Sequence, residues 1–154
     1  IGKALADKAT ALGMKVIFYD KYIKEDNKYQ YHTLNEVLES ADYISLHVPA
    51  TGEPLIGVKE FSLMKDGVFI VNASRGGIID ERALLDMLNT NKVAGAGLDV
   101  YIDEPNPNLD ICNHPKVSWT PHIGAATAEA QERIGDEIID IVDEFCKQVK
   151  YKVN

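Results

Sequence analysis

Short apolar or β-branched runs alternate along the chain with segments whose apolar residues recur at helical spacing. Strands are predicted at residues 16–19, 44–48, 68–72, 95–100 and 117–120. The segment 68–72 is apolar on both faces up to its final Asn, which is typical of a strand in a sheet covered on both sides. Alternation of strands and helices predicts an α/β fold with a parallel sheet and crossover helices.

Helices are predicted from apolar spacing together with residues that begin or end helices. The first runs from Lys3 to about Leu12. Thr33, with Glu36 three residues later, forms a capping box that begins the second. Asp80 is a further N-cap.

One long helix is predicted at residues 125–149. Its apolar residues form a single stripe of Ala130, Ile134, Ile138, Ile141, Val142 and Phe145. At 1.5 Å per residue it is roughly 37 Å long, more than one small domain needs. We expect this stripe to pack on a partner domain or in a subunit interface.

Composition limits the classes of protein to which the chain can belong. Its 154 residues, 45% hydrophobic and 26% charged, suit one globular domain. A formal net charge of −8 disfavours a nucleic-acid partner, because the surface repels phosphates. We see no membrane-spanning run and no leader peptide, so we expect a cytoplasmic protein. Two cysteines are too few for a disulfide framework or a structural zinc site, so we expect reduced thiols and no metal.

The polar residues of most chemical interest follow the predicted strands. They are Asp20, the turn at residues 47–49, and the segments 72–77, 99–104 and 120–124. Ligands of open α/β sheets bind outside the carboxyl ends of the strands, so these segments are the candidate site.

Asp20 is a candidate for recognising the ribose of a dinucleotide. It lies 18 residues after Gly2, and an acidic residue about 20 residues after the last fingerprint glycine binds the ribose hydroxyls in such sites. A carboxylate there repels the 2′-phosphate of NADP and favours NAD, although Lys21 and Lys24 weaken that preference. The alternative is a solvated Asp at a strand end.

Arg75, Glu104 and His122 are candidates for chemistry on a carboxylate substrate. Two glycines after Arg75 allow a tight turn and close backbone approach to a ligand, while its guanidinium can bind a carboxylate in bidentate fashion. A carboxylate beside His122 favours the imidazolium and suits it to exchange a proton near neutral pH. The alternatives are an ordinary Arg in a glycine turn and a structural His. We expect His47 to do no more than shape its turn.

Three segments resemble the NAD-dependent D-2-hydroxyacid dehydrogenase family: VNASRGGIIDERAL, AGAGLDVYIDEP and VSWTPHIGAATAEAQERIG, in this order. The resemblance covers nearly the whole chain. The helix opening ATAEAQERIG is most similar to the D-3-phosphoglycerate dehydrogenase branch. The family's Gly-x-Gly-x-x-Gly fingerprint is represented by its last two positions, so the chain is expected to be a fragment.

The resemblance implies a Rossmann-like doubly wound parallel sheet with its first strand missing, followed by a long C-terminal helix. Residues 1–124 would form an incomplete NAD-binding domain, and residues 125–154 a return helix and tail toward an absent substrate domain. It also implies a homodimer formed through the NAD-binding domain.

The resemblance implies a role for each matching residue. Arg75 would bind the substrate carboxylate and polarise its carbonyl, His122 would act as acid and base, and Glu104 would pair with His122. The residues that match cofactor-binding positions are Ile1, Gly2, Asp20, Val48, Ala73, Ser74, Arg75, Asp99, His122, Gly124 and Ala125.

The implied activity is hydride transfer between NAD and a small D-2-hydroxy acid. D-3-phosphoglycerate, oxidised in serine biosynthesis, is the first candidate. The alternatives are lactate, glyoxylate or hydroxypyruvate, or formate as substrate, and a non-catalytic NAD-sensing co-repressor on the same scaffold. A fragment without the first two fingerprint glycines is expected to be inactive.

Overall fold

The computed structural model describes residues 1–50 and 52–150, so the predicted tail at residues 151–154 lies outside the described residues. The chain divides into two compact units, Ile1–Pro121 and His122–Asn154. The first unit contains α1 (Gly2–Ala11), β1 (Ile17–Phe18), β2 (Gln30–Tyr31), α2 (Leu34–Ser40), β3 (Tyr43–Leu46), α3 (Val58–Leu63), β4 (Val68–Asn72), α4 (Glu81–Asn89), β5 (Val93–Leu98), α5 (Leu109–Cys112) and β6 (Val117–Trp119). The second unit contains α6 (Ala128–Lys150).

Every strand pair in the described residues is parallel. Strands β3, β4, β5 and β6 form a four-stranded sheet in that order, and β1 pairs with β2 in a separate two-stranded sheet. In the larger sheet Ile70 lies opposite Ile44 on one side and Ala96 on the other. Because parallel strands end at the same edge, the loops that follow β3, β4, β5 and β6 all leave from one edge of the sheet.

The core of the first unit lies on one face of the four-stranded sheet. Buried strand residues such as Val68 and Ile70 join side chains from four helices in one cluster. The helical members include Leu38 of α2, Phe61 of α3, Leu84 and Leu88 of α4, and Ile111 of α5.

The prediction that both faces of β4 are covered is wrong for the described residues. Phe69 and Val71 alternate with the buried residues of β4 and are 41% and 42% exposed. The reason is that the helices of the core cluster pack on the side of Val68 and Ile70. Phe69 stacks instead on Tyr43 of β3, with ring centroids 5.2 Å apart.

Helix α6 begins three residues later than predicted. The backbone N–H of Ala130 donates to Thr127 Oγ1 over 3.2 Å, so Thr127 acts as the N-terminal cap. Residues of the predicted stripe, including Ile138, Ile141 and Phe145, are exposed at 55%, 60% and 65%. None of the helices in the described part of the chain combines the length and the apolar character that a membrane span requires.

Thr33→Ala is expected to destabilise the fold by about 1 kcal/mol, because Thr33 and Glu36 form both halves of the predicted capping box. Urea denaturation of the wild type and the variant measures this loss. Thr10→Ala is the matched control, since Thr10 Oγ1 bonds the Ala6 carbonyl within α1 and caps nothing. We expect Thr10→Ala to leave stability equal or slightly higher, and an equal loss in both variants would contradict the capping role.

Candidate functional site

The turn after β4 carries Arg75 and is fixed by hydrogen bonds to a buried asparagine. Asn72, the last residue of β4, is 3% exposed, and its Nδ2 donates to the Arg75 carbonyl over 2.9 Å. Its Oδ1 accepts from the backbone N and the Oγ of Ser74, at 3.1 and 2.8 Å. The Arg75 side chain is exposed, and its Nη1 donates to the Ser74 carbonyl. The turn therefore presents a guanidinium from a fixed backbone.

Gly76 brings this turn against the loop that follows β5. A Cβ added to Gly76 would lie 1.8 Å from the Tyr101 carbonyl oxygen, so no other residue fits without movement of the backbone. Gly77 has a φ of +77°, which glycine adopts without strain. Gly76 thus makes a close approach to the backbone of the Tyr101 loop, a contact within the protein that the sequence did not predict.

Asp99 follows β5 at the same edge and is buried, at 8% exposure. Its backbone N donates to the Asn72 carbonyl over 3.0 Å, which carries the β4–β5 pairing one residue further. Its Oδ1 accepts from Thr120 Oγ1. Asp99 thereby links the ends of β4, β5 and β6.

Tyr101 joins the loop that carries Glu104 to the end of β6. Its hydroxyl lies 2.9 Å from the Leu98 carbonyl and 3.1 Å from the Thr120 carbonyl and can donate to either. Burial raises the pKa of Tyr101 to about 12, so the hydroxyl stays protonated as a donor. The backbone N of Tyr101 donates to Glu104 Oε1 over 2.9 Å, and this bond orients the exposed carboxylate.

A pocket of about 260 Å³ lies beside the N-terminus of α1 and the Arg75 turn. Its lining residues are Ile1, Gly2, His47, Val48, Pro49, Ala73, Ser74 and Arg75. Six of these eight match the cofactor-binding positions predicted from the sequence, and the structure brings the six together: Ile1, Gly2, Val48, Ala73, Ser74 and Arg75. Among the described residues no side chain caps the first turn of α1, so its backbone N–H groups are available to an anion.

His47 and Pro49 also line the pocket. The sequence placed both in the candidate turn at residues 47–49 but gave neither a cofactor-binding role. His47 Nε2 lies 2.9 Å from Ser45 Oγ, and partial burial lowers the pKa of His47. The His47 ring also packs against Gly2, where an added Cβ would lie 3.3 Å from Cδ2. Its place directly after β3 was the signal available in the sequence.

Asp20 follows β1 and is not among the residues that line the pocket. Its Oδ1 accepts from the backbone N of Ile23 and of Tyr22, at 2.8 and 2.7 Å. These two bonds hold the pKa of Asp20 below its usual value. Asp20 is therefore a carboxylate at neutral pH, in an orientation fixed by its own loop.

His122 opens the second unit in a left-handed backbone conformation, with a φ of 54°. That conformation is uncommon outside glycine, is enriched in His, Asn and Asp, and often marks functional positions. The residues after it form a short turn in which Ala126 N donates to the Ile123 carbonyl over 3.0 Å. Gln131 Nε2 donates to the Ala125 carbonyl over 2.7 Å, which ties the turn to α6.

No metal site is indicated for the part of the chain that the structure describes. There, no three His, Cys, Asp or Glu side chains are grouped as a metal ion would need. Both cysteines are free thiols, Cys112 buried and Cys146 exposed.

The strands are parallel, and the loops with polar residues leave from one edge of the sheet. The uncapped N-terminus of α1 lies beside a pocket at these loops. This combination is typical of a dinucleotide-binding α/β domain. Residues 1–124 match the family model of the D-isomer specific 2-hydroxyacid dehydrogenase, NAD binding domain. The chain belongs to this family.

Three known proteins illustrate the similarity. D-3-phosphoglycerate dehydrogenase of Bacillus subtilis is 41% identical over 96% of this chain and 29% of that protein. Glyoxylate reductase of Thermococcus litoralis is 40% identical over 96% of this chain and 46% of that protein. The crystal structure of D-lactate dehydrogenase from Aquifex aeolicus, complexed with NAD and lactic acid, superposes with a TM-score of 0.83 at 36% identity, over 99% of this chain and 52% of that one.

The comparisons confirm the predicted family, its oxidoreductase class, the Rossmann-like fold and NAD as the family's cofactor. The chain spans less than half the length of the phosphoglycerate dehydrogenase and the glyoxylate reductase. Relatives of similar identity act on different 2-hydroxy or 2-keto acids by name, so the family alone does not select one substrate.

Proposed function

We propose that this chain forms the cofactor domain of an NAD-dependent dehydrogenase that oxidises a small D-2-hydroxy acid, with D-3-phosphoglycerate as the substrate. The observation that carries the proposal is the pocket in which the uncapped N-terminus of α1 faces the turn of Arg75. The helix N-terminus suits a pyrophosphate, and the guanidinium suits a carboxylate. The similarity to D-3-phosphoglycerate dehydrogenases supports the choice of substrate.

Three residues are proposed to act on the substrate. NAD, when bound, supplies the hydride-accepting ring. Arg75 binds the substrate carboxylate and the oxygen on C2, which orients the substrate and polarises the developing carbonyl. His122 takes the hydroxyl proton during oxidation and returns it during reduction. Glu104 stabilises the imidazolium that His122 forms, and its bond from Tyr101 N fixes the carboxylate for that task.

The predicted cofactor-binding residues are proposed to hold NAD, and Arg75 and His122 serve both the cofactor and the substrate. Ile1 and Gly2 place the start of α1 at the pyrophosphate. Asp20 binds the hydroxyls of the adenosine ribose, and Val48 lies against the adenine. The residues assigned to the nicotinamide end are Ala73, Ser74, Arg75, Asp99, His122, Gly124 and Ala125.

The full-length protein is proposed to form a homodimer through the cofactor domain. It is proposed to act in the cytoplasm, in serine biosynthesis. The exposed apolar stripe of α6, with Ile138, Ile141 and Phe145, lies outside that domain and supports a contact at this helix with a second copy or with the substrate domain. Analytical ultracentrifugation of the full-length protein measures the oligomeric state, and a monomer at micromolar concentration would contradict this part of the proposal.

Turnover assays on the full-length protein test the proposed function. D-3-phosphoglycerate, D-lactate, D-glycerate, glycolate and formate are supplied with NAD, and glyoxylate and hydroxypyruvate with NADH. We expect the highest kcat/KM with D-3-phosphoglycerate. A higher value for another acid would correct the substrate and retain the class. Tight NAD binding with no turnover of any acid would overturn the enzymatic proposal and favour the NAD-sensing co-repressor.

Asp20→Asn is expected to reduce the preference of the full-length protein for NAD over NADP by about tenfold, because it removes a charge that repels the 2′-phosphate. The amide oxygen can still accept the bonds from Ile23 and Tyr22, so the loop is retained. Calorimetric titration with each dinucleotide measures the ratio. Asp26→Asn is the matched control, since Asp26 Oδ1 likewise accepts from the backbone N two and three residues later, of Lys28 and Tyr29, while its Oδ2 pairs with Lys3. An unchanged ratio in Asp20→Asn would remove Asp20 from the ribose site.

A further inference from the structure

We propose that Asn72 is a positioning residue that sets Arg75 for the substrate carboxylate, an inference that rests on the function proposed above. Asn72 has no part in the roles assigned so far. It is one of two buried polar or charged side chains recorded among the described residues, with Asp99. Its side chain makes its contacts to the turn that carries the guanidinium.

The hydrogen bonds of Asn72 define the path of that turn. The amide oxygen accepts from both donors of Ser74, at 3.1 Å from N and 2.8 Å from Oγ. The amide nitrogen donates to the Arg75 carbonyl over 2.9 Å. One planar group thus holds two successive residues by both of its polar atoms, which fixes the backbone from which the Arg75 side chain leaves.

The platform beneath Asn72 is rigid. Its backbone pairs with Leu46 of β3 and Leu98 of β5, and its carbonyl accepts from Asp99 N over 3.0 Å. Because Asn72 is fixed in the sheet, its side-chain hydrogen bonds fix the position of the turn relative to the sheet. On the other side Gly76 lies against the Tyr101 carbonyl, so the turn is confined between a side chain and a backbone.

The chemistry of the contact requires an amide. Aspartate would place a second acceptor against the Arg75 carbonyl, and alanine would leave Ser74 N and the Arg75 carbonyl without this partner. The Arg75 guanidinium stands on a long flexible stem and is exposed, so its working position depends on the backbone that carries it. Loss of Asn72 should therefore act on the substrate through Arg75.

The test is a double-mutant cycle in the full-length protein, with NAD and the acid that the turnover panel identifies. Asn72→Ala and Asn72→Asp are expected to lower kcat/KM roughly 10- to 100-fold, chiefly by raising KM for the acid, since a displacement near 1 Å can cost that much. In an Arg75→Lys background the same Asn72→Ala change should cost no more than about threefold, because the two residues act as a unit.

Asn91→Ala is the matched control for a merely structural effect. Asn91 is another Asn whose side chain accepts a hydrogen bond, from Lys116 Nζ, but it lies before β5 at the opposite edge of the sheet. Unlike Asn72 it has a left-handed backbone, which adds strain to the alanine variant. We expect it to lower the melting temperature and to leave KM for the acid within about twofold.

The outcomes separate the two proposals. A wild-type protein without turnover of any acid would overturn the proposed function and this inference with it. An active wild type in which Asn72→Ala leaves kcat/KM unchanged would overturn the positioning role alone. Asn72→Ala could also lower kcat/KM by the same factor in the wild type and in the Arg75→Lys background. That result would show that Asn72 acts on stability and not through Arg75. If Asn72→Ala does not fold, Asn72→Asp decides between these results, because an aspartate still accepts the bonds from Ser74.

Discussion

Replacing His122 with alanine in the full-length protein is expected to lower kcat roughly 10²- to 10⁴-fold, the usual contribution of a positioned general acid–base group. The substrate hydroxyl would then have to lose its proton to water. NAD affinity should change little, because His122 is assigned only to the nicotinamide end and is not among the residues that line the pocket proposed for the pyrophosphate. Steady-state kinetics gives kcat, and calorimetry gives the dissociation constant of NAD.

The left-handed backbone of His122 calls for a second variant. Alanine at a φ of 54° is strained, so a loss of activity in His122→Ala could arise from a shifted turn. Asparagine tolerates this conformation and cannot act as a base, so His122→Asn should lose the same activity with an undisturbed melting temperature.

His114→Ala is the matched histidine control. His114 Nδ1 accepts from Lys116 N over 3.2 Å in the turn before β6, at the amino end of that strand. We expect its kcat to stay within about twofold of the wild type, because it has no role near the substrate. Full turnover in both His122 variants would remove His122 from the mechanism.

Strand and helix positions in the first unit could be predicted because they depend on local patterns. Val68–Asn72 was predicted with its bounds intact, and the caps at Thr33 and Asp80 begin α2 and α4 as expected. Apolar runs and capping side chains act over a few residues, so one sequence contains the information that decides them.

The elements that could not be predicted are short or depend on distant partners. Strand β2 has two residues, α5 has four, and α3 has six and follows a glycine N-cap, so none shows the repeated apolar spacing of a long element. Strand β5 begins two residues earlier than predicted, at Val93, because pairing with β4 sets its bounds.

The candidate site divides in the same way. Strand-end residues such as Arg75 and Asp99 could be predicted, because parallel topology brings the ends of the strands to one edge. The residues that hold these strand-end residues in place could not be predicted. Asn72 and Tyr101 lie in the candidate segments 72–77 and 99–104, but the sequence gave neither a role, and only the fold shows which carbonyls each one bonds. Hydrogen bonds between loops depend on tertiary geometry that spacing along the chain does not contain.

Gly76→Ala is expected to destabilise the full-length protein by about 3 kcal/mol and to lower its turnover. The added methyl carbon would lie 1.8 Å from the Tyr101 carbonyl oxygen and 2.3 Å from its carbon. Both atoms are backbone, so no side chain can rotate away, and the two loops must separate. Because one loop carries Arg75 and the other carries Glu104, their separation should raise KM for the acid as well as lower stability. Urea denaturation and steady-state kinetics measure the two effects.

Gly135→Ala is the matched glycine control, with an expected effect of opposite sign. Gly135 lies inside α6, has no positive φ, and an added Cβ there meets no atom within 4 Å. Alanine at this position should raise stability by about 0.5 to 1 kcal/mol, because it removes backbone freedom from the unfolded chain and favours the helix. A Gly76→Ala variant as stable as the wild type would show that the Arg75 turn and the Tyr101 loop do not pack together, since packed backbones leave no room for the methyl group.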